Sequence, residues 1–463
     1  MATTEHWLGV HIKCCEKAPF EGAQLRPREL VVLSYHYPPN GAVGGMRWAG
    51  LTKYLRTLGW QTYVIAATRL GASAGPPDDD HVLRCAPYPT LNDVYRKITS
   101  RLRASGKTVR FRSGDQGLSR ARLSILTWVR REASALLDFP DPERGWILPA
   151  VALTRRTLRM LREPVFVSSG PPHSVHIAAR LIKTEYRVPW ILDFRDPWAR
   201  VVGVGSPWRP FDQSRLAGLA IPRLERSLVA AADAIIANTP ELAAAFKTEY
   251  PRTDVFTVRN GVDLTQYGRT SNVMQRPVSV CHVGSLSGNR SPTPVLSAIA
   301  CLKDRHPEIG PNEVLAIFAG PVAPRQHETL QRAIAGLGLE QHVRVLGVVS
   351  REAAHDLVKR AAIAVVLAQG QPLQVPSKLY ECAAHGVRTL VVAERSSASH
   401  REARRLGADW CAPDDVTRFT ALIESVWRGN AQPWTAERVA IDYSARAAEL
   451  DRILMEVRTR SRL

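Results

Sequence analysis

The strongest constraint on this chain is a grammar that it uses again and again. A short apolar run of strand length is followed by a loop rich in glycine, proline or ionisable residues, and then by a helical pattern. Leu30-Val31-Val32-Leu33-Ser34-Tyr35 is the first such run, and it ends in Pro38-Pro39-Asn40-Gly41-Ala42-Val43-Gly44-Gly45. Trp48, Leu51, Leu55 and Leu58 then recur at helical spacing up to a stop at Gly59, and Thr62–Ala66 is a second apolar run. A strand, loop, helix and strand in this order predict a parallel sheet.

The pattern continues. Apolar runs at Val165–Ser169, Trp190–Phe194, Ala234–Ala237 and Val255–Val258 alternate with helices expected over about 146–161, through Leu181, over 216–230 and from Thr239. Residues 70–90 read as loop, with Gly75-Pro76-Pro77-Asp78-Asp79-Asp80 as the clearest break. A stretch without periodicity, 264–276, is the expected linker. A second series then starts at Val278–Val283 and continues with strands at Val314–Ala319, Val343–Leu346, Ile363–Leu367, Thr389–Ala393 and Trp410-Cys411. The expected fold class is α/β: two doubly wound Rossmann-like domains facing a central cleft, with ligands at the carboxyl ends of the strands. The domains are expected at 28–265 and 277–435. A closing helix from about 436 to 458, within the final segment 436–463, should pack back toward the first domain.

Length agrees, because 463 residues exceed one ordinary core. With 45% hydrophobic and 23% charged residues the composition is that of a soluble globular protein. There is no apolar run long enough to span a bilayer. Residues 1–27 lack the apolar core of a signal peptide and read as a disordered extension. Seven scattered cysteines favour a reducing, cytoplasmic setting. The formal charge of +19 and pI near 10.0 call for an acidic partner. Part of that charge is local: between Arg96 and Arg131 there are eleven Lys or Arg against Asp115 alone. Leucines and aromatics interleave with these arginines, which suits an anionic membrane surface; a solvated basic face and a nucleic-acid groove are the alternatives, the last without a recognised module.

Gln374–Arg388, followed by the apolar run Thr389–Ala393, reads as loop, short helix, turn and strand, with Gly386 as terminator. A helix start can bind an anion, and Lys378 adds charge there. Glu381, one turn from Ser377, could accept hydrogen bonds from a vicinal diol. The alternative is a solvated lysine and a glutamate that merely suits the helix dipole. Gly41–Gly45 could approach a phosphate closely or could be a tight turn; it has neither the dinucleotide spacing nor a Walker lysine.

Four stretches, Tyr35–Gly45, Asp193–Trp198, Asn260–Asp263 and Pro376–Glu381, resemble in this order the family-4-type glycosyltransferases of GT-B fold that act in bacterial surface-polysaccharide biosynthesis. The likeness runs from about Glu29 to the end of the chain. It implies a metal-independent retaining enzyme moving a sugar from a nucleoside-diphosphate donor, with no other cofactor, to a lipid-linked or growing glycan acceptor at the cytoplasmic membrane face. Carried onto this chain, it makes Gly44 and Gly45 neighbours of the diphosphate and acceptor, Arg290 and Lys378 the cationic clamp, and Glu381 the ribose contact. Gly284 and Ser377 join the nucleotide-binding set. His173 would serve the donor sugar or acceptor, with His176 as runner-up, and Asp196 would contact the acceptor. An ion pair locking the Asp193–Asp196 loop is the structural alternative. The first glutamate of the family's paired motif would fall where Leu373 stands, which leaves the donor sugar open. A nucleotide-sugar epimerase of the same fold, or a basic docking protein for membranes or nucleic acid with a degenerate cleft, are the competing readings.

Overall fold

The computed structural model describes residues 27–39, 43–68, 81–93, 135–198, 214–268, 276–431 and 438–461, together with positions 100 and 132. The terminal extension, the Asp78–Asp80 loop and almost all of the basic segment lie outside these residues.

The first domain carries β1 (Arg28–Ser34), α1 (Val43–Thr57), β2 (Trp60–Ala67), β3 (Val82–Cys85), α2 (Ile147–Leu158), β4 (Val165–Gly170), α3 (Ser174–Tyr186), β5 (Trp190–Phe194), α4 (Arg215–Val229), β6 (Ala234–Ala237), α5 (Pro240–Glu249) and β7 (Asp254–Thr257). Its seven strands are parallel in the order β3-β2-β1-β4-β5-β6-β7. The second carries β8 (Val278–Val283), α6 (Thr293–Arg305), β9 (Val314–Ala319), α7 (Pro324–Gly336), β10 (Val343–Gly347), α8 (Arg351–Arg360), β11 (Ile363–Leu367), α9 (Lys378–His385), β12 (Thr389–Val392), α10 (Ala398–Arg405), β13 (Asp409–Cys411) and α11 (Val416–Trp427). Its six parallel strands run β10-β9-β8-β11-β12-β13.

The central strands of both sheets are buried on both faces, which is why they are nearly continuous apolar runs, whereas the edge strands are not. Along β1, Leu30 and Val32 enter one core with Trp48 and Val64, whereas Val31 and Leu33 enter another with Phe166 and Trp190. Val280 and Cys281 divide between two cores in the second domain in the same way. The final helix, α12 (Tyr443–Arg460), lies in the first domain's core, where Tyr443, Leu450 and Leu454 meet Trp48 and Leu51 of α1.

Several local expectations are corrected. β3 is a strand within the 70–90 stretch read as loop; it is a four-residue, half-buried edge strand with Arg84 in its middle, so it carries no apolar signature. Trp146 belongs to a 3₁₀ turn, Pro142–Trp146, rather than to the helix expected from 146, because Asp141 caps Glu143 N there. The 264–276 stretch opens with a 3₁₀ turn, Leu264–Gln266, under the side chain of Asp263. The last helix starts at Tyr443, not near 436, after the 3₁₀ turn Arg438–Ile441. That turn is tied to the crossover by Val262 N donating to Ile441 O and Tyr443 N donating to Val262 O, each at 2.9 Å.

Candidate active site

In each sheet the strand order reverses at one place, between β1 and β4 in the first domain and between β8 and β11 in the second. Such switch points open a crevice at the carboxyl ends of the strands. Of the expected residues, Gly44, Gly45, His173 and Asp196 follow β1, β4 and β5, and Gly284, Arg290, Ser377, Lys378 and Glu381 follow β8 and β11.

Contacts join the walls across the cleft. Gln374 Nε2 donates to Asp196 Oδ1. Thr239 Oγ1 donates to the carbonyl of Leu373 at 2.7 Å. Arg401 pairs with Glu241 at 2.9 Å, and Arg259 lies 3.3 Å from Glu402. Leu373, standing where the family motif has an acid, packs its side chain against the first domain's core. This position thus carries an apolar interdomain contact instead of a charge.

On the second wall, Arg290 Nη1 donates to Ser285 Oγ at 3.1 Å, and the amide oxygen of buried Gln371, in the orientation that satisfies both groups, accepts from Arg290 Nε at 2.9 Å. Burial lowers the guanidinium's pKa while the charge of Asp196 opposes that shift, so the two groups sense each other across the cleft. Gly284 closes β8 by donating its N–H to Ala319 O at 2.9 Å. Ser377 occupies the N-cap of α9 in a helical conformation and makes no side-chain cap; Gly386, with φ of 73°, ends the helix. Lys378 Nζ and Glu381 Oε2 pair at 2.6 Å, one turn apart on α9. These two residues, expected to serve separate parts of a nucleotide, therefore begin as partners of one another.

On the first wall, Gly44 and Gly45 are buried in the opening turn of α1. A Cβ on Gly45 would stand 2.8 Å from the backbone of Tyr37, and one on Gly44 would fall 1.4 Å from Arg195 Nη1. The protein itself occupies the space these glycines leave. His173 is 9% exposed, stacks on Trp198 with ring centroids 4.2 Å apart, and has no partner for Nδ1. Burial, then the nearby His176 and Arg195, push its pKa well below 6.5, so it is a neutral hydrogen-bonding group. His176 is fully buried, with Nδ1 2.8 Å from Ser168 Oγ, and packs inside the domain. Burial raises the pKa of Asp196, while Arg195, Gln374 and Arg290 pull it the other way.

Asp193 does lock its loop, through a residue that sequence reading missed. Arg47 Nη2 pairs with Asp193 Oδ1 at 3.1 Å, and Ser169 Oγ and Trp48 Nε1 donate to Oδ2 at 2.7 and 2.8 Å. Both members of the pair are buried. Burial alone would raise the carboxyl's pKa, but the charge of Arg47, the hydrogen bond from Ser169 and the charge of Arg195 hold it below the ordinary range. No signal in the sequence links positions 47 and 193; the sheet order does.

Comparison with known proteins supplies the context. A profile of the family described as Glycosyltransferase Family 4 matches residues 96–266. The chain is 31% identical over 155 residues to a D-inositol 3-phosphate glycosyltransferase of Streptomyces avermitilis, a match covering 31% of this chain and 33% of that protein. A second such enzyme, from Streptomyces scabiei, is 29% identical over 155 residues. The chain thus spans about a third of the length of the curated relatives it matches. Among solved structures, a sucrose-phosphate synthase from Thermosynechococcus elongatus superposes with a TM-score of 0.55 at 12% identity, over 94% of this chain and 98% of that one. The Anabaena protein HepE, solved with UDP and glucose, gives 0.53 at 15% identity, over 94% of this chain and 100% of that one. A glycosyltransferase from Rickettsia africae gives 0.57 at 10% identity, over 93% and 98%. Two parallel doubly wound sheets about a common cleft give this chain the GT-B fold of these structures, and its residues 96–266 resemble Glycosyltransferase Family 4.

Proposed function

We propose that the protein is a retaining glycosyltransferase that moves a sugar from a nucleoside-diphosphate donor to a lipid-linked or growing polysaccharide acceptor, without a metal. The observation that carries this reading is the opposition across the cleft of Arg290 and Lys378 on one wall and His173, Arg195 and Asp196 on the other. The solved relative HepE was captured with UDP and glucose, which supports a nucleotide sugar as donor.

In the proposed reaction the bond between the sugar's anomeric carbon and the β-phosphate oxygen breaks. The phosphate gathers negative charge as it departs, and Arg290 and Lys378 are placed to hold that charge more tightly in the transition state than in the ground state. Lys378 turns from Glu381 to the phosphate as the donor enters, which frees the glutamate to accept from ribose hydroxyls. The acceptor hydroxyl forms the new bond on the same face, and its proton passes to the departing phosphate oxygen. His173, held neutral, can donate to or accept from a sugar hydroxyl but cannot add charge. Leu373 gives the donor sugar no carboxylate, so its hydroxyls must be read by other groups, with Gln371 and Gln374 nearest in sequence.

Attachment to an anionic membrane face belongs to the same proposal and rests on the basic Arg96–Arg131 segment. Among the described residues no helix is long and apolar enough to cross a membrane. A thermal-shift screen with UDP, GDP and ADP tests the donor side. One nucleoside diphosphate should raise the melting temperature, and Lys378→Ala and Arg290→Ala should each reduce that rise. An unchanged melting temperature with all three would refute the donor reading.

A further inference from the structure

Where Thr239 bridges to Leu373, the two domains enclose a cavity of about 260 Å³. Asn238, Glu241 and Arg259 line it from the first domain, and Arg401, Glu402 and Arg405 from the second. Arg290, Lys378, Glu381 and His173, the groups given parts in sugar transfer, do not line it. Three guanidinium groups thus share two carboxylates. Glu402 is spent on Arg405, which donates Nε to Oε2 at 2.9 Å and Nη2 to Oε1 at 2.7 Å, while Tyr380 OH donates to Oε1 at 3.0 Å. Glu241 takes Arg401 at 2.9 Å. Arg259 reaches Glu402 Oε2 only as a second cation, at 3.3 Å, and its buried Nε has no hydrogen-bond partner.

The electrostatics agree with a surplus of positive charge. Burial alone would raise the pKa of Glu402, but Arg405 first and then the charge of Arg259 hold it below the ordinary range. Beside the cavity, Arg395, Arg404 and Arg418 are exposed. The pKa of His400 on α10 is lowered first by burial and then by the charges of Arg404, Arg395, Arg401 and Arg418. The cavity also holds an unmet acceptor. Asn238 is 4% exposed; its Nδ2 donates to the carbonyl of Arg195, and its Oδ1 has no partner. A buried acceptor of this kind calls for a hydroxyl rather than a second anion. Pockets for drug-sized ligands run from roughly 300 Å³ upward, so the occupant is no larger than a phosphorylated sugar or polyol.

We propose that this interdomain cavity is a second ligand site, for a small phosphate monoester bearing hydroxyl groups, whose phosphate is shared by Arg259 of one domain and Arg401 of the other. A phosphate monoester suits it because three terminal oxygens can accept from two guanidiniums at once. It also supplies the negative charge that the third arginine lacks. A ligand held from both sides favours the arrangement that keeps the domains together, which makes it an effector and not a reactant. The site stands independently of the transferase reading; only its relation to the nucleotide rests on it.

The test is calorimetry of the full chain with glycerol 3-phosphate as probe, and with glycerol and inorganic phosphate for comparison. Wild type should bind glycerol 3-phosphate saturably, inorganic phosphate more weakly, and glycerol not detectably. Arg259→Gln should weaken the ester about 10- to 100-fold, the range expected for losing hydrogen bonds to a charged group, and leave nucleotide binding unchanged. Glu241→Gln, which releases Arg401 and removes a competing charge, should tighten the ester several-fold. With the nucleoside diphosphate selected by thermal shift at saturation, the ester should bind at least as tightly as without it. Expulsion by the nucleotide would place the ester in the cleft and overturn the proposal. No saturable binding, equal affinity for inorganic phosphate, or joint loss of ester and nucleotide in Arg259→Gln would overturn it as well. If Arg259→Gln fails to fold, Glu241→Gln decides, and unchanged or weaker affinity there refutes the site. If no nucleotide binds but the ester is held through Arg259, the transferase reading fails and the second site stands.

Discussion

The buried pair of Arg47 and Asp193 offers the sharpest quantitative prediction about the first wall. Asp193→Ala removes the acceptor of four hydrogen bonds: from Ser169 at 2.7 Å, Trp48 at 2.8 Å, and Arg47 at 3.1 and 3.4 Å. Arg47 would then be left charged in a site where it is 1% exposed. Breaking a buried pair from one side costs roughly 3–5 kcal/mol, mostly for the stranded charge. With a urea dependence of about 2–3 kcal/mol/M for a domain of this size, the midpoint of the first domain's unfolding should fall by about 1–2 M. Asp193→Asn keeps the shape and some of the hydrogen bonding, and should lose less. Arg47 also donates to the carbonyls of Val258 and Arg259 and to Asn260 Oδ1, at 2.9 to 3.0 Å. A double variant, Arg47→Met with Asp193→Ala, should therefore recover only part of the loss, with a coupling of about 1–3 kcal/mol. Urea titrations followed by tryptophan fluorescence, with Trp48 at the site, give all of these numbers. A cost below about 1 kcal/mol for Asp193→Ala, or strict additivity in the double variant, would refute the picture of a network that fixes the cleft floor.

The other predictions concern single positions. Lys378→Ala should lower turnover by orders of magnitude with an unchanged melting temperature, since its partner Glu381 is 20% exposed and can be solvated; near-normal turnover removes Lys378 from the mechanism. Leu373→Glu should weaken domain closure, because a carboxylate would press on the apolar surface that Leu373 covers, and small-angle scattering with nucleotide should show a more open particle. Gly320→Ala should destabilise the second domain by about 2–4 kcal/mol in urea titration, because φ is 138° there and the added carbon would lie 2.2 Å from Gly284 O. Asp263, brought down to about 2 against its own burial by Lys53, Thr265 and Tyr54, contributes stability that is complete above the ordinary carboxyl range near pH 4 and is lost as the pH falls toward 2. Asp263→Asn should flatten that part of the acid-stability curve.

Much of the architecture was legible because parallel strands covered on both faces must be apolar throughout, and each carboxyl end is followed by a loop that breaks the pattern. β3 was missed for the converse reason: an edge strand is covered on fewer sides and tolerates Arg84. Candidate site residues could be named where they follow a strand end, as with the loops that hold Arg290 and Lys378. The ion pair of Lys378 and Glu381, three apart on a helix, was not part of the sequence reading, which gave the two separate roles or a solvated lysine. What the sequence could not show were partners brought together by the fold: Arg47 with Asp193, Gln374 with Asp196, Thr239 with the carbonyl of Leu373. Arg195 makes no close ion pair within its loop; it donates to the carbonyls of Gly170 and Pro171, while Asp196 and Asp193 act on it through their charge.

The central claim is sugar transfer with retention, and the most direct measurement is incubation of the purified protein with a panel of nucleoside-diphosphate sugars and a membrane extract, in the presence of a chelator. The account predicts release of one nucleoside diphosphate together with a glycosylated product whose new linkage, read by proton NMR, keeps the anomeric configuration of the donor. An inverted linkage would contradict the mechanism, and neither transfer nor slow donor hydrolysis from any sugar in the panel would contradict the function.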